Sequence, residues 1–279
     1  MKKLFTVIIF VFCIFMLCGC SNSSENKTTL ADLSETSATG LSTVTVTIPE
    51  GFTAVQIAER LEENEVCSAE AFMTEINDIE KLKGIYRFID EISTESKAFY
   101  LEGYIFPDTY EFYKNEGAAA ALSRFLKNTE SKLTDEYYTR ADELGFTMDE
   151  IITLASIVQS ESGYPDENKL VSSVLHNRIK SPYYGRLQCD VTIAYINTYI
   201  SDSLYLDGDT ERFKELYNTY KCKGLPAGAI CNPGRDCIVA ALYPEETDYY
   251  FFVTDKDMNY YYNKTFDAHL AKCRELGLM

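Results

Sequence analysis

The chain has 279 residues, of which 43 are Asp or Glu and 26 are Lys or Arg, so its formal net charge is −17. This acidic balance, with no basic stripe and no interleaving of basic and aromatic residues, argues against nucleic acid as a partner. The roughly 235 residues that follow position 42 are enough for two modest domains or one large one.

The first 19 residues have the pattern of a lipoprotein signal peptide. Lys2 and Lys3 precede an apolar run of 14 residues, which is shorter than the roughly 20 residues that a membrane-spanning helix needs. The run ends in Leu17-Cys18-Gly19-Cys20, which resembles a bacterial lipobox. We therefore expect Cys20 to be lipidated and to anchor the chain to the extracytoplasmic face of the cell membrane. An uncleaved membrane anchor is the competing interpretation.

Residues 20–42 comprise the predicted lipidated cysteine and a flexible tether. Ser and Thr supply 10 of the 22 residues from Ser21 to Ser42, and there is almost nothing to bury. Without the signal the balance is 24 basic against 43 acidic residues, or −19, which favours a substrate that is not strongly anionic overall.

A small strand–helix–helix unit is predicted after the tether, over residues 43–98. Thr43 to Ile48 alternates Thr with apolar residues, as a half-buried strand does. Thr53 and Gln56 form a capping box before a helix, and a second helix is predicted from Ser68 to Ile76.

The larger part, residues 99–279, contains the most informative helix. Thr147 and Glu150 form a capping box, and the helix is expected to stop at Gly163. Helical spacing places one set of residues on a single face: Ile151, Leu154, Ile157, Val158 and Glu161. Poor solvation and the negative end of the helix dipole should raise the pKa of Glu161, as a general acid requires. The alternative is an exposed residue in a fraying last turn.

The remaining elements follow in chain order. A second amphipathic helix is expected from Leu170 to Ile179. Leu187 to Thr192 is expected to be a connection or short strand that brings Gln188, Asp190 and Thr192 towards a cleft. A short helix, a β-hairpin and a last helix should follow, over 236–242, 249–263 and from Thr265 onwards. Because helices and strands are segregated rather than alternating, the predicted fold class is α+β.

Six cysteines remain after Cys20: Cys67, Cys189, Cys222, Cys231, Cys237 and Cys273. Six cysteines allow 15 pairings, and the sequence does not choose among them. Their spacing fits no zinc pattern and the chain has only two histidines, so we expect no metal and no other cofactor.

Several separated motifs carry a family resemblance. They are Leu101-Glu102-Gly103-Tyr104-Ile105-Phe106-Pro107-Asp108-Thr109-Tyr110, Leu154 to Ser162, Val171 to Ile179, Leu187 to Thr192, Tyr217 to Tyr220, Gly224 to Gly228, and Asn232-Pro233-Gly234. In this order and spacing, from about Val44 to His269, the chain resembles the endolytic murein transglycosylase family (MltG/YceG-like). The resemblance implies a small LysM-like subdomain over 43–98, which could bind amino sugars or only frame the cleft, and a YceG-like catalytic domain over 99–279.

The resemblance also implies an activity. The chain would be a peptidoglycan lytic transglycosylase, a lyase that cleaves between N-acetylmuramic acid and N-acetylglucosamine and leaves 1,6-anhydro ends during cell-wall assembly. Peptidoglycan strands would be its substrate, and cell-wall synthesis proteins are candidate partners. Glu161 matches the family's catalytic glutamate. The residues expected to shape the sugar subsites are Gln188, Asp190, Thr192, Tyr195, Asn218 and Tyr220.

The chain departs from the family pattern at several positions: Gln159 replaces a second glutamate, Cys189 a small hydroxyl residue and Val191 a proline, while Tyr260 and Ala268 replace His and Glu. Two other functions therefore stay open. One is a hydrolysing muramidase with Asp190 as the base. The other is a non-catalytic peptidoglycan-binding lipoprotein.

Overall fold

The structure is a computed structural model that describes residues 42–206 and 210–279. The predicted signal, the predicted lipidation site Cys20 and all of the predicted tether except Ser42 lie outside the described residues. Within the two described ranges, every helix is too short or too polar to cross a bilayer.

A two-stranded antiparallel sheet and three helices form the first group of elements. Strand β1 (Thr43–Thr47) pairs with β2 (Thr109–Tyr113), so that Val46 lies opposite Tyr110. Helices α1 (Ala54–Glu63), α2 (Ala69–Ile76) and α3 (Ala118–Lys132) complete the group, and the capping box at Thr53 is present as predicted. The side chains that α2 and α3 bury together include Phe72 and Phe125, whose ring centroids are 5.9 Å apart.

This group draws on both sides of the predicted boundary after residue 98. Strand β2 and helix α3 belong to the predicted catalytic domain, yet they pack on β1 and α2 of the predicted small subdomain. The described residues group as one compact unit by their contacts. The division into 43–98 and 99–279 therefore stays a prediction.

Helix α5 (Met148–Glu161) is the centre of the second group. It packs against α4 (Asp135–Leu144), α6 (Asn168–Lys180) and α9 (Arg235–Leu242). The predicted capping box at Thr147 and Glu150 is present. The prediction of a single apolar face was too narrow, because Ile152, Ala155 and Ser156 are buried as well. A helix that is apolar nearly all round is a buried helix.

The end of α5 also differs from the prediction. The helix ends at Glu161 with Ser162 as its C-cap in an extended conformation, and Gly163 has no left-handed backbone. A Cβ atom at Gly163 would lie 2.5 Å from Met258 Cε. A larger residue here would have to displace the flexible end of the Met258 side chain, and no left-handed cap requires the glycine.

Leu187 to Thr192 is not a strand. The chain is irregular up to Cys189, and helix α7 (Asp190–Tyr195) then begins and continues into a π-helical turn, Ile196–Ile200. Helix α8 (Thr210–Tyr217) follows the residues that are not described. The predicted connection is therefore a loop with a helix start, and its side chains do not alternate as those of a strand would.

The C-terminal elements agree with the prediction. Strands β3 (Phe251–Thr254) and β4 (Tyr260–Asn263) form an antiparallel hairpin, and Thr265 caps α10 (Phe266–Glu275). With its helices and two small sheets, the protein has the α+β fold that the sequence predicted. The six cysteines after Cys20 are all unpaired in the structure.

Candidate active site

Glu161 lies in a cleft at the C-terminal end of α5. The cavity has a volume of about 460 Å³ and is enclosed by α6, the 187–190 loop, β3 and α10. Its lining includes Glu161, Arg178, Gln188, Cys189, Asp190, Tyr220, Phe252 and His269. A larger cavity of about 590 Å³ opens beside His176 and Asn177, but Glu161 does not line it.

The Glu161 carboxyl is held in its protonated form over much of the pH range. The pKa of this carboxyl is raised from 4.5 to about 7, chiefly by burial; the neighbouring Cys189 thiol lowers the pKa and the nearby Asp190 carboxylate raises it, and both effects are smaller than that of burial. Burial raises the pKa of the Cys189 thiol, so the thiol keeps its proton beside Glu161, and it donates to the Leu187 carbonyl at 3.7 Å. A half-buried carboxyl that is protonated near neutrality can serve as a general acid.

The backbone around Glu161 is fixed by the C-terminal hairpin. The Tyr260 hydroxyl donates to the Glu161 carbonyl at 2.9 Å and accepts from the Gly163 amide at 2.7 Å. Tyr260 thus closes the last turn of α5. Gln159, which replaces the family's second glutamate, points elsewhere, since its Oε1 accepts from the Gly234 amide at 2.8 Å.

The loop that carries Gln188 and Cys189 is fixed by hydrogen bonds that involve two buried threonines, Thr192 and Thr219. Gln188 has a left-handed backbone with φ of 55°, and its amide donates to the Thr219 carbonyl at 3.1 Å. The Cys189 amide donates to Thr219 Oγ1 at 2.9 Å, and Thr192 Oγ1 lies 3.0 Å from the same oxygen. Thr219, which the sequence did not single out, therefore determines where the Cys189 thiol meets Glu161.

Three of the predicted subsite residues share the cleft with Glu161: Gln188, Asp190 and Tyr220. The Tyr220 hydroxyl donates to Asp190 Oδ1 at 2.5 Å, and burial together with this bond raises the Tyr220 pKa to about 12. Both side chains are exposed at the mouth of the cleft, where they offer a carboxylate and an aromatic ring to a ligand.

The other three predicted residues do not line the cleft. Thr192 and Tyr195 are 0% and 3% exposed, so they have almost no surface to offer to a ligand. The Tyr195 hydroxyl donates to Glu102 at 3.1 Å. Asn218 accepts from the Tyr220 amide at 2.9 Å and so shapes the turn that presents Tyr220. The placement of these three residues indicates positioning rather than contact with a ligand, because α7 turns Thr192 and Tyr195 towards the core and Asn218 bonds to the turn before Tyr220.

Arg178 is a cleft residue that the sequence did not identify. Its guanidinium donates to the carbonyls of Arg186 and Tyr250, at 2.9 and 3.1 Å, and to Gln188 Oε1. The guanidinium also lies 5.3 Å from the centre of the Phe251 ring. Arg178 therefore joins α6, the 186–188 loop and β3, and it orients Gln188. The only sequence signal was its position inside a family motif.

A second protonatable carboxyl, Glu102, is buried outside the cleft. Burial raises its pKa to about 8, against hydrogen bonds from the Ala54 amide, Tyr195 and Asn232. Asn232 is itself buried, and its Oδ1 accepts from the amides of Gly103 and Ile105 at 3.0 and 2.8 Å. Because Glu102 is only 1% exposed, it binds the start of α1 to the core and cannot reach a ligand.

The fold and the cleft define a protein in which a carboxyl that is protonated near neutrality, Glu161, lines a groove of polar and aromatic side chains. Among the described residues, no group of three or more His, Cys, Asp or Glu side chains is arranged to hold a metal. The sequence model of the YceG-like family matches residues 20–275. The chain belongs to the YceG-like family.

Similar proteins agree with this assignment. The endolytic murein transglycosylase of Streptococcus pneumoniae serotype 2 is 28% identical over 225 residues, which is 76% of this chain and 40% of that protein. The protein of the same name from Bacillus subtilis is 27% identical over 230 residues, or 80% of this chain and 62% of that protein. A crystal structure of a yceG-like protein from Listeria monocytogenes has a TM-score of 0.68 and 28% identity, over 83% of this chain and 76% of that chain. The chain thus spans about 40% to 62% of the length of these curated relatives.

Proposed function

We propose that this protein is an endolytic peptidoglycan lytic transglycosylase with Glu161 as its single acid and base. The observation that carries the proposal is the Glu161 carboxyl, which has a pKa of about 7 and lines the cleft. Further support comes from the relatives named endolytic murein transglycosylase. The family resemblance places a second glutamate at position 159, where this chain has Gln159, and the Gln159 side chain accepts a hydrogen bond from the Gly234 amide. The proposed reaction needs only one carboxyl and therefore fits this cleft.

In the proposed reaction the protonated Glu161 donates its proton to the glycosidic oxygen between N-acetylmuramic acid and N-acetylglucosamine. The C1–O bond breaks, and the N-acetylglucosamine leaves with a free hydroxyl. The Glu161 carboxylate then removes the proton from the C6 hydroxyl of the same muramic acid, whose oxygen bonds to C1. A 1,6-anhydro ring forms and the acid is regenerated. Because the nucleophile belongs to the reacting sugar, proximity favours it over water.

The subsite roles form part of the proposal. Gln188, Asp190 and Tyr220 would contact the sugars, since they line the cleft beside Glu161. The role of the other three predicted residues would be indirect: through hydrogen bonds within the protein they would position the segments that carry the contact residues. They are Thr192, Tyr195 and Asn218. Cys189 would orient the Glu161 carboxyl through its thiol.

A muramidase is the second candidate, because Asp190 lines the same cleft and could activate water. The bond from Tyr220 occupies one oxygen of Asp190, which favours a binding role for this carboxylate. A non-catalytic peptidoglycan-binding protein would have no need for a protonated carboxyl in its groove.

Mass spectrometry of the products from purified glycan strands distinguishes the three candidates. We expect internal cleavage that leaves 1,6-anhydro-muramic acid ends. Reducing ends instead would establish the muramidase, and strands left intact by a folded protein would establish the binding protein. The same digestion with Glu161→Gln tests whether the activity belongs to this cleft.

We also propose that Cys20 is lipidated and anchors the protein to the outer face of the cell membrane, near cell-wall synthesis proteins. The lipobox-like Leu17-Cys18-Gly19-Cys20 after a short apolar run supports the proposal. Cys20→Ser should abolish metabolic labelling with a fatty acid and leave the precursor uncleaved. Normal labelling and processing of that variant would refute lipidation at Cys20.

A further inference from the structure

A basic pocket lies beside the catalytic cleft. Its volume is about 410 Å³, and its lining is Arg178, Pro182, Tyr183, Tyr184, Gly185, Arg186, Gln188 and Lys223. Three of these eight residues are cationic and none is acidic, although the chain has a net charge of −17. A cluster of positive side chains next to a cleft, on a protein that is negative overall, attracts an anionic group of a ligand.

Among the described residues, none of the three cations forms an ion pair with a carboxylate. Arg178 and Arg186 donate only to neutral acceptors, namely backbone carbonyls and the Gln188 side chain. In residues 42–206 and 210–279, no carboxylate oxygen lies within 4.0 Å of a charged nitrogen of Arg178, Arg186 or Lys223. The neighbouring Lys221, by contrast, forms an ion pair with Glu215 at 2.5 Å.

The walls of the basic pocket are fixed by the backbone. The Gly224 amide donates to the Gly185 carbonyl at 2.7 Å, and Arg186 forms an isolated parallel bridge with Gly224. A Cβ atom at Gly185 would lie 3.1 Å from Lys223 Cε, so the lysine side chain passes directly over this glycine. Lys223 and Arg186 are therefore held on facing segments of one pocket.

The basic pocket continues the cleft. Arg178 and Gln188 line both cavities, so the basic pocket and the cleft that contains Glu161 adjoin at these two residues. Tyr184 packs on Phe251 of β3 with ring centroids 5.1 Å apart, and Tyr183 is 89% exposed. The two rings add apolar surface to a pocket whose charge is positive.

We propose that the basic pocket binds a carboxylate of the peptide that muramic acid carries next to the bond being cleaved. This inference rests on the proposed function, which places the C1 atom of a muramic acid at Glu161. The same sugar bears its peptide on O3, and wall peptides carry free carboxylates. Arg186 and Lys223 receive the carboxylate, Arg178 supports it from the cleft side, and the tyrosines pack on the aliphatic part of the peptide. The enzyme therefore prefers strands that still carry peptides.

The test uses the double variant Arg186→Gln/Lys223→Gln, in which both changed residues are exposed and neither touches Glu161. The control is Lys83→Gln/Lys127→Gln, which makes the same charge change at exposed positions that line neither cavity. Cleavage is measured on glycan strands with their peptides and on strands stripped of peptides by an amidase. We expect kcat/KM on peptide-bearing strands to fall roughly 3- to 30-fold, as for two exposed ion pairs. On stripped strands both variants should match the wild type.

Calorimetric binding of a soluble disaccharide-peptide makes the test independent of turnover. We expect amidation of the peptide carboxylates to weaken binding to the wild type and to have no effect on the double variant. If the wild type cleaves no strand but shows this carboxylate-dependent binding, the proposed function fails and the pocket proposal holds. If the wild type cleaves strands but amidation does not weaken binding of the disaccharide-peptide, the pocket proposal is refuted. It is also refuted if the double variant loses kcat/KM equally on peptide-bearing and stripped strands. Competition by inorganic phosphate alone, without an effect of amidation, would assign the pocket to a phosphate ligand and also refute it.

Discussion

Replacing Glu161 by glutamine tests the proposed acid through two independent quantities, activity and stability. Glutamine keeps the shape of the side chain but cannot donate a proton or take one back. General acid–base assistance is worth about 10²- to 10⁴-fold, and Glu161 is proposed to serve in both steps. We expect the rate to fall by about 10⁴-fold or more, with glycan binding close to that of the wild type.

The stability effect follows from the pKa of Glu161. Well below pH 4.5 the side chain is protonated in both the folded and the unfolded chain, so its titration does not change the free energy of unfolding. Between pH 4.5 and about 7 the unfolded chain releases the proton while the folded protein retains it, and stability is lost. Above pH 7 the full cost applies, which is about 3 kcal/mol at 1.36 kcal/mol per pH unit. Glu161→Gln should therefore match the wild type at pH 4 and be more stable by up to about 3 kcal/mol at pH 8.

The assay is chemical denaturation of both proteins at a series of pH values, alongside mass spectrometry of digested glycan strands. Glu150→Gln is the matched control, because Glu150 is exposed at the other end of α5 and glutamine can retain the capping box. The control should change neither the activity nor the pH dependence of stability. A stability difference for Glu161→Gln that does not change with pH would refute the raised pKa. Release of anhydro-ended fragments at the normal rate would refute the catalytic role.

Three further predictions concern residues around the site and in the core. Cys189→Ser replaces the thiol by a hydroxyl, which is a stronger hydrogen-bond donor to the Glu161 carboxylate, so the pKa of Glu161 should fall. The alkaline limb of the pH–rate profile should then move to lower pH. An unchanged profile would show that the thiol does not bond to Glu161. Asn232→Ala leaves the amides of Gly103 and Ile105 buried without an acceptor, which should cost about 1–3 kcal/mol for each amide in urea denaturation. Lys97→Met leaves the Asp149 carboxylate without its buried partner and should cost about 3–5 kcal/mol, and the double variant with Asp149→Asn should recover part of that loss.

Local sequence patterns determined several features of this protein without help from the tertiary structure. The capping boxes at Thr53 and Thr147 are formed as predicted, because both partners in each box lie three residues apart on one chain segment. The C-terminal hairpin and the cap at Thr265 also depend on neighbouring residues alone. Glu161 could be singled out because its helix face and its place in the last turn are both local properties.

Other features were decided only by contacts between segments far apart in the chain. Thr192 and Tyr195 turn to the core because Cys189 is pinned by Thr219, thirty residues later, and α7 begins where the sequence predicted a connection or strand. Glu102 looks like any surface glutamate until α1, Asn232 and Tyr195 enclose it. Arg178 and Lys223 become neighbours of one pocket only when α6 and the 221–224 loop pack together. Spacing along one segment determines which residues share a helix face, but burial and charge pairing depend on which distant segment covers that face.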